Sequence, residues 1–331
     1  METIKADLKS KNFKHMYFFH GGETYLSEHY ANMLKKEIAD DEFNFTKLYA
    51  EDIMSFQDAV EASPVLSDKK LVIVKARDFS EEIKSDGYNL LADILDDIPE
   101  YTHVLFICAG IDKRSKIYKL LSTKCTECVF DFQKETELIR WITNVVHKKG
   151  FDITSDAASK MIEFTGTSMV RLMSEIDKAI SCNLENNTVT VATIEKITCK
   201  TVETKVFEMM DAVMDGNAET AFKMLADLKR EKEEPVFING AIVKCISDAL
   251  EYKLLVKEGV HIKAISDRLK LWGTRQKKLA SYDRKFSEKL LSGMINKCAE
   301  FDISLKTSGI DGYTGISVLM SYMLSAAKKK S

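Results

Sequence analysis

Hydrophobic residues in the first 135 positions alternate between two periods. Between apolar runs, segments such as "YNLLADILDDI" (88–98) carry apolar residues at helical spacing. The runs that predict strands are "MYFFH" (16–20), "FNFTKLYA" (43–50), "KLVIVKA" (70–76), "THVLFICA" (102–109) and "ECVFDFQ" (127–133). Strands that alternate with helices are typical of a parallel sheet covered on both faces. We therefore expect an α/β domain over residues 1–135.

Beyond residue 135 the strand pattern disappears and helices follow one another. "TSDAASKMIEFTG" begins with capping residues and ends at Gly166, and "SMVRLMSEIDKAISC" is a second helix of the same small module. From 205 onward the helices are longer, and Pro235 opens one with apolar residues at helical spacing. The apolar positions of that helix are 238, 241, 242, 245, 246, 249 and 250. The pattern predicts a small helical lid over 136–204 and a helical bundle over 205–331.

Composition narrows the class of protein. Of 331 residues, 45% are apolar and 30% charged, which is typical of a globular chain, and the net charge of −3 leaves room only for a local basic surface. The longest uncharged apolar stretch, "VLFICAGI" (104–111), is far shorter than the roughly 18 residues of a membrane span. The first residues are charged and the seven cysteines are odd in number, so we expect a cytoplasmic protein with reduced thiols and no membrane segment.

The segment "YFFHGGETYLSEHYANMLKKEI" (17–38) has the outline of a phosphate-binding loop without its chemistry. Such a loop needs a Gly-Lys dipeptide followed by Ser or Thr, and this sequence contains no Gly-Lys anywhere. After Gly22 the next lysine is Lys35, more than a helical turn away. The acidic magnesium ligand expected after a buried strand is also missing, because Lys75 follows "LVIV" and Ala109 follows "VLFIC". We expect no ATP hydrolysis and no nucleotide cofactor.

Other catalytic patterns are equally absent. Cys125 and Cys128 form a CxxC, but Cys182 and Cys199 do not provide the second pair of a tetrahedral zinc site. The six histidines show no metal-binding spacing, and no serine lies in a recognisable nucleophile turn. We therefore predict no metal site and no active site in this chain.

Two surfaces remain as candidates. In "EASPVLSDKKLVIVK" (61–75), a helix ends before Pro64, and "PVL" precedes a buried strand. Val65 and Leu66 either pack inward or form an exposed apolar tip, and an exposed tip would indicate a protein partner.

The second surface is "KAISDRLKLWGTRQKKLASYDRKFSEK" (263–289). It holds nine Lys or Arg against three acidic residues, interleaved with Trp272, Tyr282 and Phe286. Cations with aromatic rings suit nucleic acid, because phosphates provide affinity and rings stack on bases. The alternative is a solvated amphipathic helix whose aromatic residues lie in the core.

These segments together resemble a known family. The matching segments, in chain order, are "YFFHGGETYLSE", "SPVLSDKKLVIVKARDF", "THVLFICAGIDKRSKIYKLL", "FDFQKETELIRWI", "EFTGTSMVRLMSEIDKAI" and "EFDISLKTSGIDG". Over nearly its whole length the chain resembles the delta subunit of the bacterial DNA polymerase III clamp loader.

The resemblance implies a fold and a function. It implies an AAA+-like α/β domain that has lost its nucleotide site, a helical lid and a C-terminal collar. The collar would assemble with delta-prime and tau/gamma ATPase subunits into a hetero-pentamer. The family binds the beta sliding clamp and opens one interface of the ring, so that the ring can be placed on primer-template DNA. No bond is made or broken by such a subunit, although it belongs to a DNA-directed DNA polymerase, a nucleotidyltransferase.

Site residues follow from the resemblance by position. The clamp contact falls on Pro64, Val65 and Leu66. Family members often carry a bulky aromatic residue there, and this chain has none, so a smaller plug would weaken binding by about 1–2 kcal/mol. The DNA-facing inner surface of the collar falls on Lys270, Trp272, Arg275, Lys277 and Lys278.

Two other functions fit parts of the sequence. An active AAA+ motor would bind or hydrolyse ATP, which the missing Gly-Lys dipeptide disfavours. A DNA-binding adaptor of another AAA+ complex would bind DNA through residues 205–331 and would have no affinity for the clamp.

Overall fold

The computed structural model of the protein describes residues 1–182, 187–269, 271, 275–307, 309 and 311–328. The chain divides into two compact units, Met1–Gln133 and Lys134–Ser331. The predicted division of the second part at residue 204 stays a prediction.

The first unit contains a five-stranded sheet in the order β2-β3-β4-β1-β5, and every pair of neighbouring strands is parallel. The strands are β1 Met16–His20, β2 Phe45–Tyr49, β3 Lys70–Asp78, β4 Thr102–Gly110 and β5 Thr126–Val129. The helices are α1 Glu2–Ser10, α2 Thr24–Ile38, α3 Phe56–Glu61, α4 Phe79–Glu82, α5 Ser85–Ile94 and α6 Lys116–Lys124, and a 3-10 helix spans Ala50–Ser55. The predicted parallel α/β fold is confirmed.

The three central strands are buried on both faces, which explains their continuous apolar runs. Phe18, Val72 and Phe106 point to one face and pack in one core cluster. Their chain neighbours Phe19 and Ile73 are also buried. Because successive side chains of a strand point to opposite faces, burial of both sets requires cover on each side of the sheet.

Helix α1 is not among the elements predicted from the sequence. Only Ile4 and Asp7 of this polar helix are buried. The Tyr17 hydroxyl donates to Asp7 Oδ2 at 2.7 Å, and burial raises the pKa of Tyr17. Two buried residues in nine leave too little apolar periodicity to reveal a helix.

The second unit is mostly helical, as predicted. Its helices are α7 Glu135–Lys148, α8 Ser155–Thr165, α9 Met169–Ser181, α10 Val191–Ile197, α11 Val202–Met214, α12 Ala218–Arg230, α13 Pro235–Lys257, α14 Ile262–Leu269, α15 Arg275–Lys285, α16 Glu288–Thr307 and α17 Gly312–Lys328. Two strands, β6 Asp152–Ile153 and β7 Thr188–Val189, form a parallel pair. The expectation of no strand beyond 135 is therefore wrong in this detail, because two-residue strands have no period to detect.

One apolar core extends from Val206 to Leu324, and α13 contributes the largest share of its residues. Of the positions predicted to be buried in α13, Ala241 and Leu250 are only half-buried, whereas Tyr252 is buried. None of the described helices is both long and apolar enough to cross a membrane.

Candidate functional site

The loop between α3 and β3 carries Pro64, Val65 and Leu66 to the surface of the first unit. Val65 is 51% exposed and Leu66 104%, and Pro64 is half-buried. The interpretation that Val65 and Leu66 pack inward is therefore wrong. We call the residues 64–66 the apolar tip.

The start of this loop is fixed by side chains that bind the end of α3. The Lys70 ammonium donates to Ala59 O at 2.6 Å and to Ala62 O at 2.9 Å. Hydroxyl groups of Tyr101 and Thr102 donate at 2.8 Å to the carbonyls of the two residues in between. The last carbonyls of a helix have no partner within the helix, so these four bonds satisfy groups that would otherwise need water. Lys70 is buried, and desolvation lowers its pKa.

Asn44 holds the apolar tip from the side of β2. The Val65 N–H donates to Asn44 Oδ1 at 2.7 Å, and Asn44 Nδ2 donates to Val65 O at 2.8 Å. Asn44 is itself 1% exposed, and its backbone and side-chain nitrogens donate to Asp41. These bonds lower the pKa of Asp41. The tip therefore keeps its place through polar bonds to its backbone, while the Leu66 side chain is fully exposed.

Leu66 has a left-handed backbone with φ 53°, unusual for a bulky residue. Such a conformation costs about 1–3 kcal/mol and persists only where the surroundings impose it. Here the two bonds from Asn44 to the preceding residue supply the constraint. Asn44 is not among the residues predicted for the site, although Asp-x-x-Asn before a strand is a turn-forming pattern.

The Gly-Gly turn after β1 is packed against the segment that follows β5. Gly21 has φ 130°, and a Cβ on it would lie 2.3 Å from Phe130 O. A Cβ on Gly22 would lie 2.5 Å from the Phe132 ring. The backbone N–H of Glu23, which a phosphate loop would offer to its ligand, donates to Phe130 O at 2.9 Å. Phe130 and Phe132 thus lie against the turn on the side that faces the segment after β5.

Ion pairs and hydrogen bonds also fill the carboxyl ends of β1 and β3. Lys75 Nζ lies 2.6 Å and 2.5 Å from the two carboxylate oxygens of Glu28. His20 Nε2 lies 2.7 Å from Glu127 Oε1, which also accepts from the Tyr118 hydroxyl at 2.8 Å. The last of these bonds raises the pKa of Tyr118. A cation therefore stands at the position on β3 where a nucleotide site would place a magnesium-binding carboxylate.

The CxxC pair lies inside the first unit. Cys125 and Cys128 are buried free thiols, and burial raises the pKa of both, that of Cys125 to about 12. A high thiol pKa disfavours the thiolate that zinc requires. Across the described part of the chain, no three His, Cys, Asp or Glu side chains are grouped for a metal ion.

The basic stretch divides into residues of different exposure. Lys270 and Trp272 lie outside the described residues. Lys277 is exposed on α15. Lys278 is 39% exposed and lies 3.5 Å from the Asp215 carboxylate. These two lysines are the described members of the set that present charge to solvent.

Arg275 points into the second unit. Its side chain is 12% exposed, and its guanidinium lies 3.5 Å from Asp211 Oδ1 and 3.0 Å from Cys245 Sγ. The guanidinium also lies 4.4 Å from the centre of the Phe207 ring, a cation–π distance. A guanidinium with so little exposed surface and with these partners does not suit a phosphate contact, so the structure disfavours a direct DNA role for Arg275.

Tyr282 and Phe286, the described aromatic residues of the basic stretch, are core residues. They are 0% and 3% exposed, and their rings contact each other with centres 6.2 Å apart. The Tyr282 hydroxyl donates to Asp211, and burial raises the pKa of Tyr282. For these two rings, the interpretation as base-stacking residues is wrong and the core interpretation is confirmed.

Comparisons with known proteins fit both units. A family model described as "DNA polymerase III, delta subunit" matches residues 17–133, and "DNA polymerase III delta subunit, C-terminal domain" matches 203–323. DNA polymerase III subunit delta of Bacillus subtilis is 23% identical over 93% of this chain and 92% of its own length. The solved Bacillus subtilis DNA clamp loader delta protein aligns with a TM-score of 0.68 and 21% identity, covering 98% of this chain and 99% of that one. Replication factor C subunit 5 of mouse is 24% identical over 49% of this chain and 45% of its own.

Proposed function

Because the chain belongs to the delta subunit family of DNA polymerase III, we propose that its apolar tip binds the beta sliding clamp and opens one interface of the ring. As a delta subunit, it is part of the clamp loader that serves DNA replication. The observation that carries the proposal is the exposure of Val65 and Leu66 on a loop whose backbone is held by Asn44.

The apolar tip acts as a plug. Val65 and Leu66 enter an apolar pocket on the clamp, where burial of their side chains contributes about 25 cal/mol per Å² of apolar surface. The bonds to Asn44 and the cap at Lys70 fix the loop before binding, so little conformational entropy is lost on contact. Binding shifts the clamp toward its open form only to the extent that the tip prefers that form.

No ATP chemistry is assigned to this chain. Phe132 lies against Gly22, and Lys75 pairs with Glu28 where a magnesium ligand would stand. These contacts support the proposal that nucleotide binding belongs to partner subunits, namely delta-prime and the tau/gamma ATPases. The polymerase activity of the holoenzyme likewise belongs to other subunits.

Clamp opening is the direct test of this function. A cognate clamp labelled with a self-quenching fluorophore pair across one interface is expected to gain fluorescence when this protein is added, because an opened interface separates the pair. A clamp with the pair placed within one domain is the control. Saturable binding without a gain of fluorescence from the interface pair would show that the protein binds the clamp but does not open it, which would contradict the opening step.

We further propose that the chain contacts DNA. Of the residues predicted for this contact, the proposal retains Lys270, Trp272, Lys277 and Lys278 and leaves out Arg275. Lys277 is exposed and has no ion-pair partner among the residues that the structure describes. In the assembled loader, Lys277→Ala is expected to weaken binding of primer-template DNA and to reduce the slope of log K against log salt by about 1.

Fluorescence anisotropy over a series of salt concentrations measures this slope. Lys196→Ala, which removes an exposed lysine on α10, serves as the matched control. An unchanged slope for Lys277→Ala would remove Lys277 from the DNA surface. Tight DNA binding by a wild-type protein that ignores the clamp would instead favour the DNA-adaptor function.

A further inference from the structure

We propose that Phe43 is the second half of the clamp-binding surface, so that its ring and Leu66 enter the same apolar site on the clamp. This inference rests on the proposed function and names a residue outside the predicted tip. It supplies from a neighbouring loop the aromatic group that the sequence 64–66 lacks.

Phe43 is an unusually exposed aromatic residue. It lies in the turn before β2 and is 83% exposed. Phe132 is the other exposed phenylalanine of the first unit. Its ring covers Gly22, which gives it a structural role. Phe45, two residues after Phe43, is half-buried and lies under the Lys35 ammonium at 4.0 Å. Phe43 has no ring contact of this kind in the described part of the chain.

Hydrogen bonds join Phe43 to the apolar tip through a single residue. Phe43 precedes Asn44, and Leu66 follows Val65, while both polar groups of the Asn44 amide are bonded to the Val65 backbone. Consecutive Cα atoms are about 3.8 Å apart. Phe43 is therefore one residue from Asn44, and Leu66 is one residue from Val65, the two residues that these hydrogen bonds join. Asp41 fixes the Asn44 amide, and the Leu71 N–H donates to Asn44 O at 2.8 Å. The turn and the tip therefore form one platform with two large apolar side chains at its surface.

The partner that fits this platform is the one proposed for the tip. A phenylalanine ring can bury about 150–250 Å², more than a leucine, and aromatic residues dominate the energetic centres of protein interfaces. A pocket that accepts Leu66 lies within reach of Phe43, because Asn44 sets their backbones side by side. The two side chains then share one desolvated contact.

Surface plasmon resonance on immobilised cognate clamp tests the inference with single and double variants of the full chain. We expect Phe43→Ala to weaken binding at least about 10-fold, no less than Leu66→Ala does. The loss of affinity in the double variant should be smaller than the product of the two single-variant losses, because the energetic effects of residues that share one pocket are not additive. Phe43→Trp should keep affinity within a few-fold. Met54→Ala removes a 62% exposed side chain elsewhere in the first unit and should bind like wild type.

The outcomes separate the inference from the function on which it rests. Wild-type affinity in Phe43→Ala, together with weak binding by Leu66→Ala, would overturn the role of Phe43 and leave the apolar tip intact. Failure of the wild-type protein to bind, or full affinity in Leu66→Ala, would remove the proposed function itself. Loss of affinity in Phe43→Trp as well as Phe43→Ala, with melting temperatures unchanged, would still assign the contact to Phe43 and define a pocket that excludes a larger ring.

Discussion

Aspartate at both positions 65 and 66 is expected to weaken binding to the cognate clamp by at least about 100-fold while leaving the melting temperature unchanged. Burial of a Val and a Leu side chain contributes about 1.5–3 kcal/mol each, and a carboxylate forced into an apolar pocket adds a desolvation cost. The fold should tolerate the change, because both side chains are exposed and Asn44 binds the backbone of Val65 and not its side chain. Aspartate also accepts the left-handed backbone of residue 66 more readily than leucine does.

Equilibrium binding by surface plasmon resonance and a thermal melt measure the two halves of this prediction. Met54→Asp places one aspartate on an exposed apolar site in the 3-10 helix and is the control for a new surface carboxylate. Binding of the double variant within about threefold of wild type would show that the apolar tip is not the clamp contact.

The second large effect is structural. Asp211→Ala is expected to lower the free energy of unfolding of the second unit by about 3 kcal/mol, because it leaves the buried Arg275 guanidinium and the Tyr282 hydroxyl without their carboxylate. Burial raises the pKa of Asp211, while the Tyr282 bond and the Arg275 charge favour its ionised form. Asp215→Ala is the matched control, since Asp215 pairs with Lys285 at the surface and its loss should cost less than about 1 kcal/mol.

Urea denaturation followed by tryptophan fluorescence reports this difference, because Trp141 lies in α7 of the second unit and the sequence of the first unit contains no tryptophan. Equal effects of the two alanine variants would contradict the interior role of Arg275. In that case Arg275 would again be a candidate for the DNA surface.

The sheet could be predicted because its signal is local. The central strands are covered on both faces, so "LVIV" and "VLFIC" appear as continuous apolar runs in the sequence. The loss of the nucleotide site stays a prediction from the missing Gly-Lys dipeptide and from Lys75, and the contacts of Phe132 with Gly22 and of Glu28 with Lys75 support it.

The apolar tip could be placed along the chain but its exposure could not be predicted. What turns Val65 and Leu66 outward is a pair of bonds from Asn44, which is 21 positions away in sequence. No period or composition encodes such a contact. For the same reason no pattern in the sequence links Phe43, the residue before Asn44, to the apolar tip.

The basic stretch contains apolar residues at helical spacing, although its many cations favoured a nucleic-acid surface. Leu279, Tyr282 and Phe286 fall on one face of α15 and its continuation, and all three are buried. The count of cations favoured nucleic acid, whereas this spacing favoured a core. Arg275 could not be assigned in this way, because its partners Asp211 and Cys245 are distant in sequence.

The central claim is that this chain binds the clamp by itself and without nucleotide. The most direct measurement is a titration of the wild-type protein onto immobilised cognate clamp, with and without ATP and Mg²⁺. We expect saturable binding with the same Kd in both conditions, because the contact of Phe132 with Gly22 and the Lys75–Glu28 ion pair disfavour a nucleotide site in this chain. Binding that requires ATP, or no binding at micromolar concentrations, would contradict the account.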